Sequence, residues 1–291
     1  MELIKAKTQV NGCILIAGCL HVGAANCSWG ALEKLISRAK DRDVIGILLT
    51  GDLIEGKLPA GKHFGRPSID MARGLLTPQD QSDALVELLS PVSNKILAIG
   101  IGNHELASMP VMDAGDYIAN KLGAPYGRIN YKFAALDTNG VSRYKIHIQH
   151  GYGRLRSGAK DAIQRKANQE AALRQKYFGS GISDCILHAG SHWHRQIVSP
   201  PTYLLERHLI DDGESLKIYK QKPLPQNLEY IDESQRWVVS VGCFRKGYAE
   251  PDSGYFDYAE LSLYHGVTDL GYTEVVIKDY QVFSVVPVSF K

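Results

Sequence analysis

Three short, almost wholly apolar runs, Cys13 to Ala17, Val44 to Thr50 and Lys95 to Ile101, each run straight into a glycine, and segments of helical periodicity separate them. Unbroken runs of this length, rich in Ile, Val and Leu, read as strands buried on both faces. Strands joined through a helix run parallel. Trp29 to Lys40 reads as an amphipathic helix with Ser28 as its N-cap, and Gln79 to Ser90 and Met112 to Leu122 read as helices on either side of the third strand. A Gly- and Pro-containing loop is expected from Gly56 to Pro67. The first half of the chain is therefore expected to build a mainly parallel sheet.

The pattern changes at Asn139-Gly140, which lies between the runs Tyr131 to Leu136 and Val141 to Gln149 and signals a hairpin. Arg154 to Tyr177 reads as a helical region with Ala159, Ala162, Ile163, Ala167 and Leu173 near one face. Cys185 to Ala189 reads as another buried strand. Beyond His194, Ile197 to Val198, Trp237 to Val241 and Thr273 to Val286 are strand-like, interrupted by Pro223-Leu-Pro225. A chain of 291 residues can bury a large core. We expect one domain, 1–291.

At 44% hydrophobic and 22% charged residues, the composition is that of a globular protein. The net charge of +2 gives no global attraction to nucleic acid or to an anionic membrane, so any anion preference must be local. No apolar run reaches the roughly 20 residues of a membrane span. The first twelve residues lack the regions of a signal peptide. Five cysteines, odd in number and without a C-x-x-C pair, argue against a disulfide framework or a zinc ribbon. A reducing cytoplasm is expected.

Metal-ligand residue types recur where the strands end. Cys19 and His21 follow the first run, Gly51-Asp52-Leu-Ile-Glu55 the second, and Gly102-Asn103-His104-Glu105 the third. His150-Gly151 follows the hairpin, and Ser191-His192-Trp193-His194 follows the strand beginning at Cys185. Ligands of open α/β sheets bind outside the carboxyl ends of the strands, so five such segments can converge on one crevice. That convergence is what a dinuclear centre needs.

Taken in order, CLH, GDLIE, GNHE, HG and SHWH resemble the motif blocks of the calcineurin-like metallophosphoesterases: Asp-x-His, Gly-Asp-x-x-Asp/Glu, Gly-Asn-His-Asp/Glu, His-Gly and Gly-His-x-His. Two positions depart from the pattern: Cys19 stands where a carboxylate is usual, and Ser191 where a glycine is usual. The resemblance covers Cys19 to His194. It implies an α/β fold in which a two-sheet β-sandwich is flanked by helices, and a two-metal site for phosphoester hydrolysis. By the same resemblance the first ion takes Cys19, His21, Asp52 and His194, and the second takes Asp52, Asn103, His150 and His192. Asp52 bridges the two. A hydroxide between the ions is then the nucleophile, because bound cations bring the pKa of water down to roughly 7. His104 stabilises the phosphoryl oxygens or the leaving group, with Glu105 orienting its ring, and Glu55 is a supporting residue.

Cys19 leaves three readings open. As a thiolate ligand it favours Zn or Fe over Mg or Mn, while the two-metal site as a whole is expected to take Mn, Zn or Fe ahead of Mg. As a small buried residue it weakens the first site. In a degenerate site, the chain is a binding module. Seven basic residues between Arg154 and Lys176 face only Asp161 and Glu170, a local net of +5. Together with Arg154, Arg156 and Tyr152 close after His150, this points to a phosphodiester in a nucleotide or nucleic acid; a phosphomonoester or phosphoprotein is the alternative. Trp193 and the aromatics Phe244, Tyr248, Tyr255, Phe256 and Tyr258 are candidates for stacking on bases. The motif-free part, 195–291, is expected to complete the second sheet and cap the active site.

Overall fold

The computed structural model describes residues 1–56, 74–202, 208–211, 216–219, 224–246 and 268–290. In chain order these form β1 (Glu2–Lys7), β2 (Gly12–Ala17), α1 (Trp29–Ala39), β3 (Val44–Thr50), α2 (Pro78–Leu89), β4 (Ile96–Gly100), α3 (Asn103–Ser108), α4 (Ala114–Leu122), β5 (Tyr126–Arg128), β6 (Asn130–Leu136) and β7 (Ser142–Gln149). There follow α5 (Ala162–Phe178), β8 (Leu187–Gly190), β9 (Gln196–Ser199), β10 (His208–Asp211), β11 (Leu216–Tyr219), β12 (Trp237–Val241), β13 (Gly271–Lys278) and β14 (Gln281–Ser289). Two six-stranded sheets stand face to face, ordered β14-β13-β2-β3-β4-β5 and β1-β6-β7-β8-β12-β9. Both are mixed: β2 to β5 run parallel, as expected of the first half, and β13 and β14 from the end of the chain add to them antiparallel.

Alternation along β2 explains its apolar run. Cys13, Leu15 and Ala17 face α1, α2 and α4 with Leu32, Leu35, Leu85 and Ile118, while Ile14 and Ile16 face the opposite sheet with Phe133, Ile146 and Val239. A strand covered on both faces has no polar position to offer. The result is helices, sheet, sheet, helix, the α/β sandwich that the resemblance implied.

Local chemistry sets the helix ends. Thr77 and Asp80 form a reciprocal capping box around Pro78 at the start of α2. Asp113 caps α4, so that helix begins two residues after Met112, and Gly123 ends it in the left-handed region at φ +65. Ser28 precedes α1 but its side chain makes no capping bond. At the hairpin, Asp137 accepts from Asn139 and Val141 N–H and Gly140 takes φ +80. The expected strand Thr273 to Val286 is instead the hairpin β13-β14, turned at Asp279 and Tyr280 with φ +51 and +57.

The basic helix departs most from expectation. Asp161 accepts the Gln164 N–H, so α5 starts at Ala162 and the stretch before it is non-helical. Of the expected apolar face, Ala162, Ile163 and Ala167 are exposed; the buried residues are Leu173 and Tyr177. Only the C-terminal half of α5 packs on the second sheet, through a small core that includes Leu155, Ile197 and Val238.

Beneath that half-helix lies a buried polar pair. His147 Nε2 is 2.7 Å from Asn130 Oδ1, and His147 Nδ1 is 3.0 Å from His188 Nδ1. The Asn130 oxygen only accepts, so His147 carries its proton on Nε2 and His188 donates from Nδ1. His188 Nε2 is then a buried lone pair with no hydrogen-bond partner among the described residues.

Candidate metal centre

The carboxyl ends of β2, β3 and β4 in one sheet and of β7 and β8 in the other lie at the same edge of the sandwich, and all five motif segments leave the sheets there. Cys19 N–H donates to Gly51 O at 2.8 Å and Ser191 N–H to His150 O at 3.1 Å, so neighbouring loops are tied to each other. Cys19, His21, Asp52, His192 and His194 all take left-handed φ values, between +49 and +73. A non-glycine residue there costs of order 1–3 kcal/mol, and such strain persists only where the surroundings enforce it. Sequence reading had no means of anticipating this run of strained backbone.

The expected ligands form two groups of facing atoms. His21 Nδ1 is 3.0 Å from Glu55 Oε2, an atom that only accepts, so the His21 proton sits on Nδ1 and Nε2 is bare. That bare nitrogen faces His194 Nε2 at 3.1 Å. Cys19 Sγ joins them: the sulfur and ring nitrogens of Cys19, His21 and His194 lie within 4.8 Å of one another. Donor atoms of a tetrahedral ion with bonds of about 2.0–2.1 Å stand roughly 3.3 Å apart, close to the spacing of the two histidine nitrogens.

The second group closes a ring. His150 Nε2 is 2.9 Å from Asp52 Oδ2 and 3.1 Å from Asn103 Oδ1, while His192 Nδ1 is 3.0 Å from Asn103 Oδ1 and 3.2 Å from His150 Nε2. On its far side His150 Nδ1 faces the Ser191 hydroxyl at 3.1 Å and the Thr50 carbonyl at 3.3 Å. Two oxygens and two ring nitrogens thus crowd together at this point, and their donor types are ones that suit a divalent transition ion.

Charge in the site follows from burial. Burial alone would raise the Asp52 carboxyl, but His104, His150 and His21 around it hold it well below the usual range. Burial keeps His21 and His194 below their ordinary value despite nearby carboxylates, and pulls His192 down to about 4. For His104 the balance reverses: burial lowers it, but Asp52 and Glu55 outweigh that and raise it. Burial and Asp52 push the Cys19 thiol up.

One role needs correction. Glu105 does not orient His104. It is fully buried and accepts four backbone N–H groups: Asp52 at 3.0 Å, Leu53 at 2.6 Å, Ile54 at 2.9 Å and Gly102 at 2.7 Å. It clamps the Asp52 loop to the Asn103 loop. The ring of His104 is set by the Glu55 carbonyl, which accepts from Nδ1 at 2.6 Å and turns Nε2 towards Asp52, 4.0 Å away. Glu55 thereby positions two histidines, His104 through its carbonyl and His21 through its carboxylate.

Sequence reading also missed Arg245. It comes from the motif-free part and lies 3.8 Å from Glu55 Oε1, with its Nε donating to Asn26. Nothing in the local sequence marked it.

The substrate-side residues divide. Tyr152 is exposed, Lys176 sits 4.2 Å over its ring, and Trp193 Nε1 donates to the Tyr152 carbonyl at 3.3 Å. Arg154, Arg156, Lys160 and Lys166 are exposed. Arg174 instead turns inward onto Ser199 and Pro200, so it is structural. Phe244 is fully buried and packs near Phe290, which removes it from the stacking candidates. Tyr248, Tyr255, Phe256 and Tyr258, and the loop beyond Gly56, lie outside the described residues.

No family model matches the chain, and no curated protein matches it. Among solved structures it is similar to the phosphoesterase Yfce from E. coli, at 11% identity over 95% of this chain and 99% of that one, with a TM-score of 0.40. It is similar to Vacuolar Protein Sorting 29 from Cryptosporidium parvum, at 12% identity over 97% and 99%, TM-score 0.39. A metallophosphoesterase from Sphaerobacter thermophilus aligns at 15% identity over 91% and 84%, TM-score 0.38. Among the described residues no helix is long and apolar enough to cross a membrane.

Proposed function

We propose that the chain is a metal-dependent phosphoesterase that hydrolyses a phosphodiester in a nucleotide or nucleic acid. The observation that supports the metal-dependent part is the pair of donor groups meeting at Asp52, in which sulfur, carboxylate, amide-oxygen and ring-nitrogen atoms converge within a few ångströms. The first group, Cys19, His21, Asp52 and His194, and the second, Asp52, Asn103, His150 and His192, would hold two divalent ions, Mn, Zn or Fe rather than Mg. Bound there, such ions supply Lewis acidity towards phosphoryl oxygens and a nucleophilic water at neutral pH.

The chain's own residues do the remaining work. His104, its Nδ1 proton engaged by the Glu55 carbonyl, turns Nε2 towards Asp52, where it would reach a phosphoryl or leaving-group oxygen held at the ions. The Glu105 clamp and the strained backbone fix the ligand atoms before substrate arrives, so little reorganisation remains for the chemical step. Tyr152 and Trp193 border the second group, and Arg154 and Arg156 continue from it as an exposed basic edge suited to neighbouring phosphates. The part from 195 on is taken to cap the crevice: Phe244 N–H donates to the Cys19 carbonyl, and Arg245 reaches Glu55. Five buried free thiols suit a reducing compartment, the cytoplasm.

The test is metal content together with a panel of an aryl phosphodiester, an aryl phosphomonoester and single-stranded DNA, each with Mn, Zn or Mg. Two ions per chain and diester turnover lost in His104→Ala are expected. Turnover of the monoester alone would sink the diester assignment, and bound metal without any turnover would leave a binding module.

A further inference from the structure

The chain leaves the second donor group after His150 as a non-helical strap, 151–161, and comes back as α5, and the two are laced together along their length. The Tyr152 carbonyl accepts from Lys176 Nζ at 3.0 Å and the Leu155 carbonyl from Gln169 at 3.3 Å. The Ser157 hydroxyl accepts from Asn168 at 3.0 Å, and the Ala159 and Lys160 carbonyls accept from Arg165 at 3.1 and 3.0 Å. Strap numbers rise as helix numbers fall, so the strap runs antiparallel to the helix and the pair forms a finger. At 1.5 Å per residue, the 17 residues of α5 make it about 25 Å long.

Leu173 and Tyr177 fix the base of the finger to the second sheet, but every residue from Lys160 to Asn168 is exposed. About two helical turns therefore stand in solvent on all sides, without the packing that normally stabilises a helix. Between 154 and 169 the finger carries Arg154, Arg156, Lys160, Arg165 and Lys166 against Asp161 alone, although the whole chain has a net charge of only +2. Charge so concentrated on a protrusion fits a polyanion. At the base of the finger, next to His150, Tyr152 is 58% exposed. Its carbonyl is held by both Lys176 and Trp193, and Lys176 Nζ lies 4.2 Å over its ring. An exposed aromatic ring anchored beside a set of positive charges takes an unpaired base together with its phosphates, whereas a duplex keeps its base faces stacked away.

We infer that the finger grips a single-stranded nucleic acid beyond the bond being cleaved, with a base on Tyr152 and phosphates on the basic residues of the strap and helix. The substrate is then the polymer rather than a nucleotide. The inference rests on the phosphodiesterase reading above and narrows its substrate.

The experiment is fluorescence anisotropy of labelled thymidine oligomers, a dinucleotide and a dodecamer, and of a duplex of the dodecamer's length. It uses the full chain carrying His104→Ala, so that the oligomers stay intact. The dodecamer is expected to bind at least about 10-fold more tightly than the dinucleotide, and more tightly than the duplex. Each phosphate contact on a single strand contributes about 0.7 to the slope of log affinity against log salt. Lys160→Gln/Lys166→Gln should therefore flatten that slope by about 1.4, at an unchanged urea midpoint because both side chains are exposed. Tyr152→Ala should weaken the dodecamer at least about 5-fold. Equal affinity for dinucleotide and dodecamer, or a salt slope unmoved by the lysine variant, overturns the finger, and tighter binding of the duplex overturns the single-strand assignment. These results leave the hydrolase reading standing, because that is judged on metal content and aryl-diester turnover. Length-dependent binding by a chain whose wild type hydrolyses no diester supports the grip and overturns the hydrolase.

Discussion

Acid should weaken this fold through the His147–His188 pair beneath α5, and by an amount the structure sets. Burial, reinforced by Lys132, holds His147 at about 4 against an ordinary 6.5, and burial with His147 and Arg236 beside it holds His188 well below that value. Asp184 opposes both shifts more weakly, and the Tyr177 ring from α5 covers the pair. Unfolded histidine binds a proton below about pH 6.5 that the folded pair refuses, so stability rises with pH between about 4 and 6.5. At 1.36 kcal/mol per unit, His147 alone removes about 3 kcal/mol between pH 7 and pH 4, and His188 adds in the same direction. The comparison is urea unfolding, followed by tryptophan fluorescence in EDTA at pH 7, 6, 5 and 4, of wild type and His147→Gln/His188→Gln. The site histidines titrate in both proteins and cancel in the difference. Whatever the variant costs at pH 7, wild type should lose about 3 kcal/mol or more relative to it by pH 4. A gap that stays constant across the series would mean that the pair is not held neutral.

Glu105→Ala leaves four backbone N–H groups without their acceptor and should cost about 3 kcal/mol, seen as a lower urea midpoint, together with loss of bound metal. Gly102→Ala places a methyl group against Asp52 and His150; unfolding should shift by no more than about 3 kcal/mol, while metal stoichiometry falls below two. At Asp184, burial pushes the carboxyl up, but Lys132 and Lys145, at 2.6 and 2.8 Å, draw it down to about 2. Because this triad is partly exposed, Asp184→Asn should cost only about 1 kcal/mol at pH 7, a difference that disappears as pH falls from about 4 to 2 in chemical denaturation.

Much of the sandwich could be read from the chain because β2, β3, β4 and β8 are buried on both faces, and that leaves an apolar signature in sequence. The site was readable for a related reason: its ligand types stand directly where those strands end. What escaped depends on non-local partners. The helical face of α5 was misplaced because Ile163 and Ala167 look apolar, and only the packing of Leu173 and Tyr177 shows which half of the helix touches the sheet. Glu105 looked like a neighbour of His104, yet its acceptors' partners come mostly from a loop about fifty residues earlier. Arg245 and the His192 N–H bond to the Cys19 sulfur join segments far apart in sequence, and no short-range pattern encodes such meetings.

The left-handed backbone at Cys19, His21, Asp52, His192 and His194 separates where a donor atom sits from which element it prefers. The sheets dictate the address, and the side chain only names the occupant. If position 19 holds an ion as proposed, exchanging sulfur for oxygen or nitrogen there changes the chemistry offered to the ion more than the path of the loop. A family of single variants at this one residue would be a set of otherwise identical sites tuned to different ions.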